Sequence, residues 1–282
     1  MDQAGTLRAM ARSVELSRPT KVIAVTSGKG GVGKTNVVAN LAYALTKLNR
    51  KVLVVDADLG LANLDVLLGL TPKCTIEQVF QGTKTLRDII LEGPGGMQIL
   101  PASSGVQHLT ELSAEQKLTF LAEVDSLDDL VDVMLIDTGA GISSNVLYFA
   151  MAAQEIVVVT CPEPTAITDA YALMKVLARH HNHRRFQLLV NSAASAHEAD
   201  LVFQKLNRAT QQFLDLNIHF IGWIPYDTAV RKAVKEQKIV AADYPDAQAS
   251  RAFMRLAMTV CELPPVMVPS GQIQFFWQRL FR

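Results

Sequence analysis

From Lys21 onward the chain alternates short, nearly unbroken apolar runs with longer stretches whose apolar residues recur at helical spacing. The runs are KVIAVTS, KVLVVDAD, MQILPAS, VDVMLIDT, EIVVVTC, FQLLVNS and IHFIGWIP, each bounded by turn or polar residues. A strand with one wet face alternates apolar and polar residues. Runs that are apolar almost throughout predict strands covered on both faces, as in a parallel sheet. Stretches such as TNVVANLAYALTKLNR and TAITDAYALMKVLARHH read as the covering helices. This alternation predicts a doubly wound α/β domain with a mostly parallel sheet over residues 20–262.

Two extensions flank that domain. Residues 1–19 place Leu7, Met10, Ala11 and Val14 on one helical face, and Pro19 stops the pattern. A Pro-containing linker at 263–270 leads to the segment 271–282, GQIQFFWQRLFR. There Ile273, Phe276, Trp277, Leu280 and Phe281 form an apolar stripe, with Gln272, Gln274, Gln278, Arg279 and Arg282 largely off it. Such a helix suits a bilayer interface, with the aromatic rings at the acyl boundary and the arginines near anionic headgroups. The alternative is that the stripe packs back on the domain as a core helix.

Composition narrows the function classes. A chain of 282 residues, 49% hydrophobic and 19% charged, is a globular protein of one large domain or two small ones. Lys and Arg number 27, as do Asp and Glu, so no overall positive field favours a direct nucleic-acid partner. Cys74, Cys161 and Cys261 are far apart and form no CxxC pair, which points to a reducing, cytoplasmic compartment. No signal peptide and no run of ~18 apolar residues is present. RHHNHRR, at 179–185, lacks ligand spacing and reads as a solvated helix end whose cations face the negative pole of the helix.

The chemistry gathers at strand ends. GKGGVGKT, from Gly28 to Thr35, follows one run and opens a helix, matching G-x-x-x-x-G-K-[ST]. In such a loop Gly28, Lys29, Gly30, Gly31, Val32 and Gly33 curl so that backbone N–H groups point at phosphate oxygens, and the positive end of the helix adds to the field. Lys34 would reach the β- and γ-phosphates, the Thr35 hydroxyl would hold Mg²⁺, and Asn36 follows on the same turn. Asp56, Asp58 and Asp137 end two further runs, where ligands bind in doubly wound sheets. A lone Asp at a strand end is also a common helix cap.

KGGVGKT resembles the deviant phosphate loop of the ParA/MinD superfamily of P-loop ATPases, and the resemblance spans about residues 21–260. It implies ATP and Mg²⁺ as ligands. It also implies a sandwich dimer formed with ATP, in which Lys29 reaches the partner's phosphates in trans. Asp58 would orient the attacking water, Asp137 would contact Mg²⁺ through water, and Asp56 would lie in the metal's surroundings. Asn191, Pro225 and Asp227 occupy positions that hold adenine in the superfamily; read from the residues alone, they are a turn Asn and a helix N-cap Asp. CPEPTAITDAYAL resembles the dimer-interface segment, so Glu163 is expected to meet the partner's Lys29. Gly139 and Asn36 depart from the D-S/T-P-A-G and GKTT patterns of MinD.

Asp2, Gln3, Leu7 and Arg8 fit D-Q-A-x-x-L-R, the N-terminal signature of the FlhG (FleN/YlxH) family. KTNVVANLA, DADLGLANLDVLLGLTP and IPYDTAVRKAV are similar to the same family. The resemblance implies a slow, dimer-activated ATPase controlling flagellar number and placement. It would be cytoplasmic and, when ATP-bound, peripheral on the anionic surface of the inner membrane through the C-terminal helix. Its N-terminal helix would stimulate the FlhF GTPase, with Gln3 as the natural contact, and it would restrain a flagellar transcription activator. The rival readings are MinD-like division-site placement, ParA-like DNA partition, and a module that holds ATP without hydrolysing it.

Overall fold

The computed structural model describes residues 20–58, 63–102, 113–125, 127 and 131–264. The predicted N-terminal helix, most of the linker and the whole predicted tail helix lie outside the described residues. Each of the seven apolar runs is a strand: β1 Lys21–Ser27, β2 Val52–Ala57, β4 Gln98–Leu100, β5 Val133–Ala140, β6 Glu155–Thr160, β7 Gln187–Ala193 and β8 His219–Pro225. One strand has no sequence signal, the two-residue β3 Leu91–Glu92, which pairs antiparallel at the sheet edge. The order is β3-β4-β2-β5-β1-β6-β7-β8, and every other pairing is parallel.

Period-two geometry explains the unbroken runs. Val22 and Ala24 face one apolar layer while Ile23 and Val25 face the other. One layer is covered by α1 Lys34–Lys47, α2 Leu64–Leu68, α9 Thr228–Lys235, α10 Val240–Asp243 and α11 Gln248–Glu262. The other is covered by α3 Ile76–Phe80, α4 Leu86–Ile89, α5 Ala114–Asp125, α6 Ser144–Ala152, α7 Pro164–His181 and α8 Ala196–Leu214. Helix starts carry their own caps: Ser143 and Ser195 accept from Val146 N and Glu198 N.

Two polar anchors close the base of the sheet. Lys21 Nζ donates to Val260 O at 2.9 Å and Leu263 O at 2.8 Å, satisfying the last carbonyls of α11. Burial lowers the pKa of this lysine. Glu155, buried at the start of β6, accepts from Arg185 Nη2 at 3.2 Å and Gln187 Nε2 at 3.0 Å. The second anchor corrects the reading of RHHNHRR. Arg179, His180 and His181 do lie exposed in the last turn of α7, but Asn182 turns the chain inward at φ 51°. His183 is consequently buried against Phe186, and Arg185 reaches back to the sheet. Among the described residues no helix is long and apolar enough to cross a membrane.

The α5–α6 layer turns on aromatic packing. Phe149, fully buried, meets Phe120 and Tyr148 edge-on at centroid distances of 5.6 and 5.2 Å. Phe149→Ala should lower stability by about 3–5 kcal/mol, read as a lower urea midpoint with an unchanged slope.

Candidate active site

The glycine loop sits where β1 passes between β5 and β6, at the carboxyl ends of the parallel strands. Its conformation requires glycine at particular places. Gly31 and Gly33 hold φ of 84° and 86°, and Gly33 caps α1 in the left-handed region. A Cβ on Gly28 would collide with the backbone carbonyl of Asp169 on α7, so that glycine sets how closely loop and helix approach. The loop's carbonyls are tied down from behind: Ser27 Oγ donates to Lys29 O at 3.0 Å, and Asn191 Nδ2 donates to Val32 O at 2.7 Å.

Lys34 and Asp137 form the root of the site. Lys34 Nζ lies 2.6 Å from Asp137 Oδ1, with side chains only 8% and 2% exposed. Asp56 stands beside Asp137 in the β2–β5 register. Its Oδ1 accepts from Asp58 N at 3.1 Å, and its Oδ2 from Asn63 N and Leu64 N at 3.3 Å each. Asp56 is therefore an anchor for the backbone that carries Asp58. Burial, and then the Asp137 carboxylate, push the Asp56 carboxyl up to about 7. Asp58, Thr35, Asn36, Lys34 and the loop glycines from Gly30 line a cleft of about 1380 Å³. Gly139 lies against Asp58: a Cβ there would stand 3.6 Å from Asp58 Oδ1.

Three further candidate side chains make contacts within the chain. Asp227 spends both carboxylate oxygens on helix ends, Oδ1 accepting from Ala229 N at 2.9 Å and Oδ2 from Ala249 N at 3.1 Å. It caps α9 and ties it to α11. Asn191 Nδ2 donates one hydrogen bond to the phosphate loop. Glu163 lies beside the Lys29 of its own chain: Lys29 Nζ donates to Glu163 Oε2 at 3.0 Å and Thr165 Oγ1 at 2.8 Å. Pro225 ends β8 and lines the cleft. Asp2, Gln3, Leu7, Arg8 and the tail stripe from Ile273 to Phe281 lie outside the described residues.

Sequence reasoning assigned no role to several residues that shape the cleft. Tyr226 and Arg231 line its far end, with the Arg231 guanidinium 5.3 Å from the Tyr226 ring centre. Their only signal was membership of IPYDTAVRKAV. Asn40, within the stretch TNVVANLAYALTKLNR, is buried. Its Nδ2 donates to Asn36 O and Oδ1 at 2.9 and 3.0 Å, and its Oδ1 accepts from Ala241 N at 3.0 Å. Asn36, the departure from GKTT, thus has a partner on the next turn.

A backbone curl able to wrap phosphates, closed beneath by a buried lysine–aspartate pair at a sheet's switch point, defines a P-loop nucleotide-binding protein. The ParA family, described as NUBPL iron-transfer P-loop NTPase, matches residues 18–261. The chain is 50% identical over 262 residues to the antiactivator FleN of Pseudomonas aeruginosa, covering 93% of this chain and 94% of that one. It is 35% identical over 267 residues to the flagellum site-determining protein YlxH of Helicobacter pylori, covering 93% and 90%. The septum site-determining protein MinD of Pyrococcus horikoshii, solved with Mg-ADP, superposes with a TM-score of 0.73 at 28% identity, covering 86% of this chain and 97% of that one. The chain belongs to the ParA family and, within it, to the FlhG (FleN/YlxH) family.

Asp56 gives the nucleotide-free protein a defined pH response. The carboxyl titrates near 3.8 when unperturbed and near 7 in the fold. The folded state therefore binds its proton more tightly, and Asp56's contribution to stability falls as pH rises through that window. Asp137→Asn removes the neighbouring negative charge, so its urea midpoint should drop less than wild type over the same window. Equal slopes would show that Asp137 does not set the Asp56 titration.

Proposed function

We propose that the protein is an ATP-hydrolysing switch that controls the number and placement of flagella. The observation that carries this is the meeting, in one cleft, of the glycine loop, Lys34 with Asp137 buried behind it, and Asp58. The family relation to FleN and YlxH supports the flagellar setting. The nucleotide is ATP with Mg²⁺. The residues present suit that ion: the Thr35 hydroxyl and the Asp137 carboxylate are hard oxygen donors, and Mg²⁺ takes few protein ligands beside substrate phosphates. When bound, Mg²⁺ neutralises charge on the phosphates.

The loop N–H groups and the α1 N-terminus hold the phosphate oxygens, and Lys34 shifts from Asp137 toward the β- and γ-phosphates. Asp58 accepts a hydrogen bond from the attacking water and orients it. A bond forms from the water oxygen to the γ-phosphorus as the bond to the ADP bridging oxygen breaks, and the water's protons leave with the inorganic phosphate. Lys29 leaves its exposed contacts with Glu163 and Thr165 to serve the partner's phosphates in an ATP-held dimer. An exposed ion pair of this kind is worth about 0–1 kcal/mol and does not oppose that exchange strongly. Turnover is slow and works as a timer.

ATP-dependent dimerisation also explains the aromatic tail. One helix of residues 271–282 binds a bilayer marginally, whereas two on one dimer gain about 10²–10⁴ in avidity. The N-terminal segment with Gln3 acts on the FlhF GTPase. The relative named as an antiactivator supports a transcription activator as a further partner.

Purified full-length protein should hydrolyse ATP in the presence of Mg²⁺, and Lys34→Ala or Asp58→Ala should lower turnover by about 10²-fold or more. Lys29→Ala should abolish the dimer seen by light scattering with a non-hydrolysable ATP analogue; a persisting dimer with full turnover would remove the trans role. Liposomes containing anionic lipid should pellet the intact chain with the ATP analogue but not with ADP, and a chain ending at Ser270 should stay in solution with both. Equal pelleting of the truncated chain would place membrane affinity elsewhere.

A further inference from the structure

Helix α2 is five residues long, far too short to persist alone, so its place is decided by what holds its ends. Leu64 and Leu68 are buried beneath it. At its N-terminus, Asp56 Oδ2 accepts from Asn63 N and Leu64 N while Asp56 Oδ1 accepts from Asp58 N. One carboxylate thus positions both Asp58 and the helix start. At the other end the Val66 carbonyl accepts from Gln237 Nε2 at 2.7 Å, across 171 residues of sequence. Gly69, which closes α2 with φ 64°, packs so near that a Cβ there would lie 3.5 Å from Gln237 Cβ.

Gln237 sits at a place where the backbone favours glycine. Its φ is 54°, in the left-handed region just beyond α9. Its own N–H donates to Val234 O at 3.1 Å and the next N–H donates to Ala233 O at 2.9 Å, so it moves as one piece with α9. Val230, Arg231 and Val234 of α9 line the far end of the cleft. Four residues on, Ala241 N donates to Asn40 Oδ1 on α1. Residues 237–241 therefore join three parts of the site: the α9 wall, the phosphate-loop helix, and the short helix next to Asp58. A side chain carried where glycine would be less strained, and spent on a distant carbonyl, points to a use for that side chain.

We propose that Gln237 is a positioning residue for hydrolysis, clamping α2 to α9 so that Asp58 is held in its working orientation. This rests on the ATPase reading of the site. The hydrogen bond is exposed and contributes little to global stability; its effect is on geometry, where small displacements of a reacting group have large kinetic consequences. The geometry also predicts which substitutions separate the two roles. Gln237→Gly relieves the left-handed backbone while deleting the donor. Gln237→Lys restores a donor of similar reach.

The test uses the full-length chain. With wild type as reference, Gln237→Gly should keep or raise the melting temperature yet lower kcat for ATP about fivefold or more. KM and the affinity for a fluorescent ADP analogue should change less than about twofold. Gln237→Lys should recover most of kcat. Without nucleotide, amide hydrogen exchange over residues 64–70 should quicken in Gln237→Gly and slow again in Gln237→Lys, with α11 unaffected. Unchanged kcat, a kcat loss that follows nucleotide affinity or melting temperature, or unchanged exchange over 64–70 would each overturn the proposal. If turnover is absent in wild type or survives Lys34→Ala, the ATPase reading itself has failed. The exchange experiment decides the clamp in either case.

Discussion

Everything in the cleft leans on one buried charge pair. Lys34 and Asp137 face each other at 2.6 Å with almost no solvent, and Asp56 lies in the neighbouring register position. Removing one partner from such a pair costs about 3–5 kcal/mol, because the remaining charge is left without water or counter-ion. Loss of Lys34 compounds the cost, since the Asp56 and Asp137 carboxylates would then share the site. The strand order supplies the contact. With β5 inserted between β2 and β1, the loop after β1 brings the lysine while β5 and β2 bring the two acids. Incoming phosphates can take over Lys34 only when the charge they displace at Asp137 is answered by a cation.

The polar groups around this pair are arranged to hold backbone. Ser27 and Asn191 hold carbonyls of the glycine loop, Asp56 holds the amides near Asp58, and Asp227 holds the starts of two helices. Each is a side chain at a strand end with its hydrogen bonds spent on a neighbouring loop. The result is a cleft whose three sides are cross-linked: the phosphate helix through Asn40, the α9 wall through Asp227, and the Asp58 loop through Asp56. Departures from the MinD pattern sit inside this lattice. Asn36 bonds Asn40, and Gly139 leaves room next to the Asp58 carboxylate.

The cleft and the roots of the two extensions occupy opposite ends of the sheet. Lys21, at the start of β1, holds the last carbonyls of α11, so the described chain enters at Thr20 and leaves at Pro264 close together. The nucleotide loop is at the other end of the same strand.

What was legible in the sequence follows from local rules. Unbroken apolar runs could only be strands covered on both faces, and the spacing of glycine, lysine and threonine in GKGGVGKT could only work between a strand and a helix. Periodicity had no means of marking β3, which is two residues long and owes its existence to the pairing offered by β4. Nor could it place Asp227 at the starts of two helices, or Glu163 beside the Lys29 of its own chain, because those depend on which backbone amides or ammonium groups arrive nearby. Asn40 and Gln237 read as ordinary polar positions until the fold set Ala241 and Val66 against them. The sequence by itself determined the strands, the phosphate loop and the family, since each is written in neighbouring residues. Only the tertiary structure decided which polar side chains hold the site together, since a hydrogen bond across more than a hundred residues exists only once the sheet order has brought its two ends within 3 Å or so.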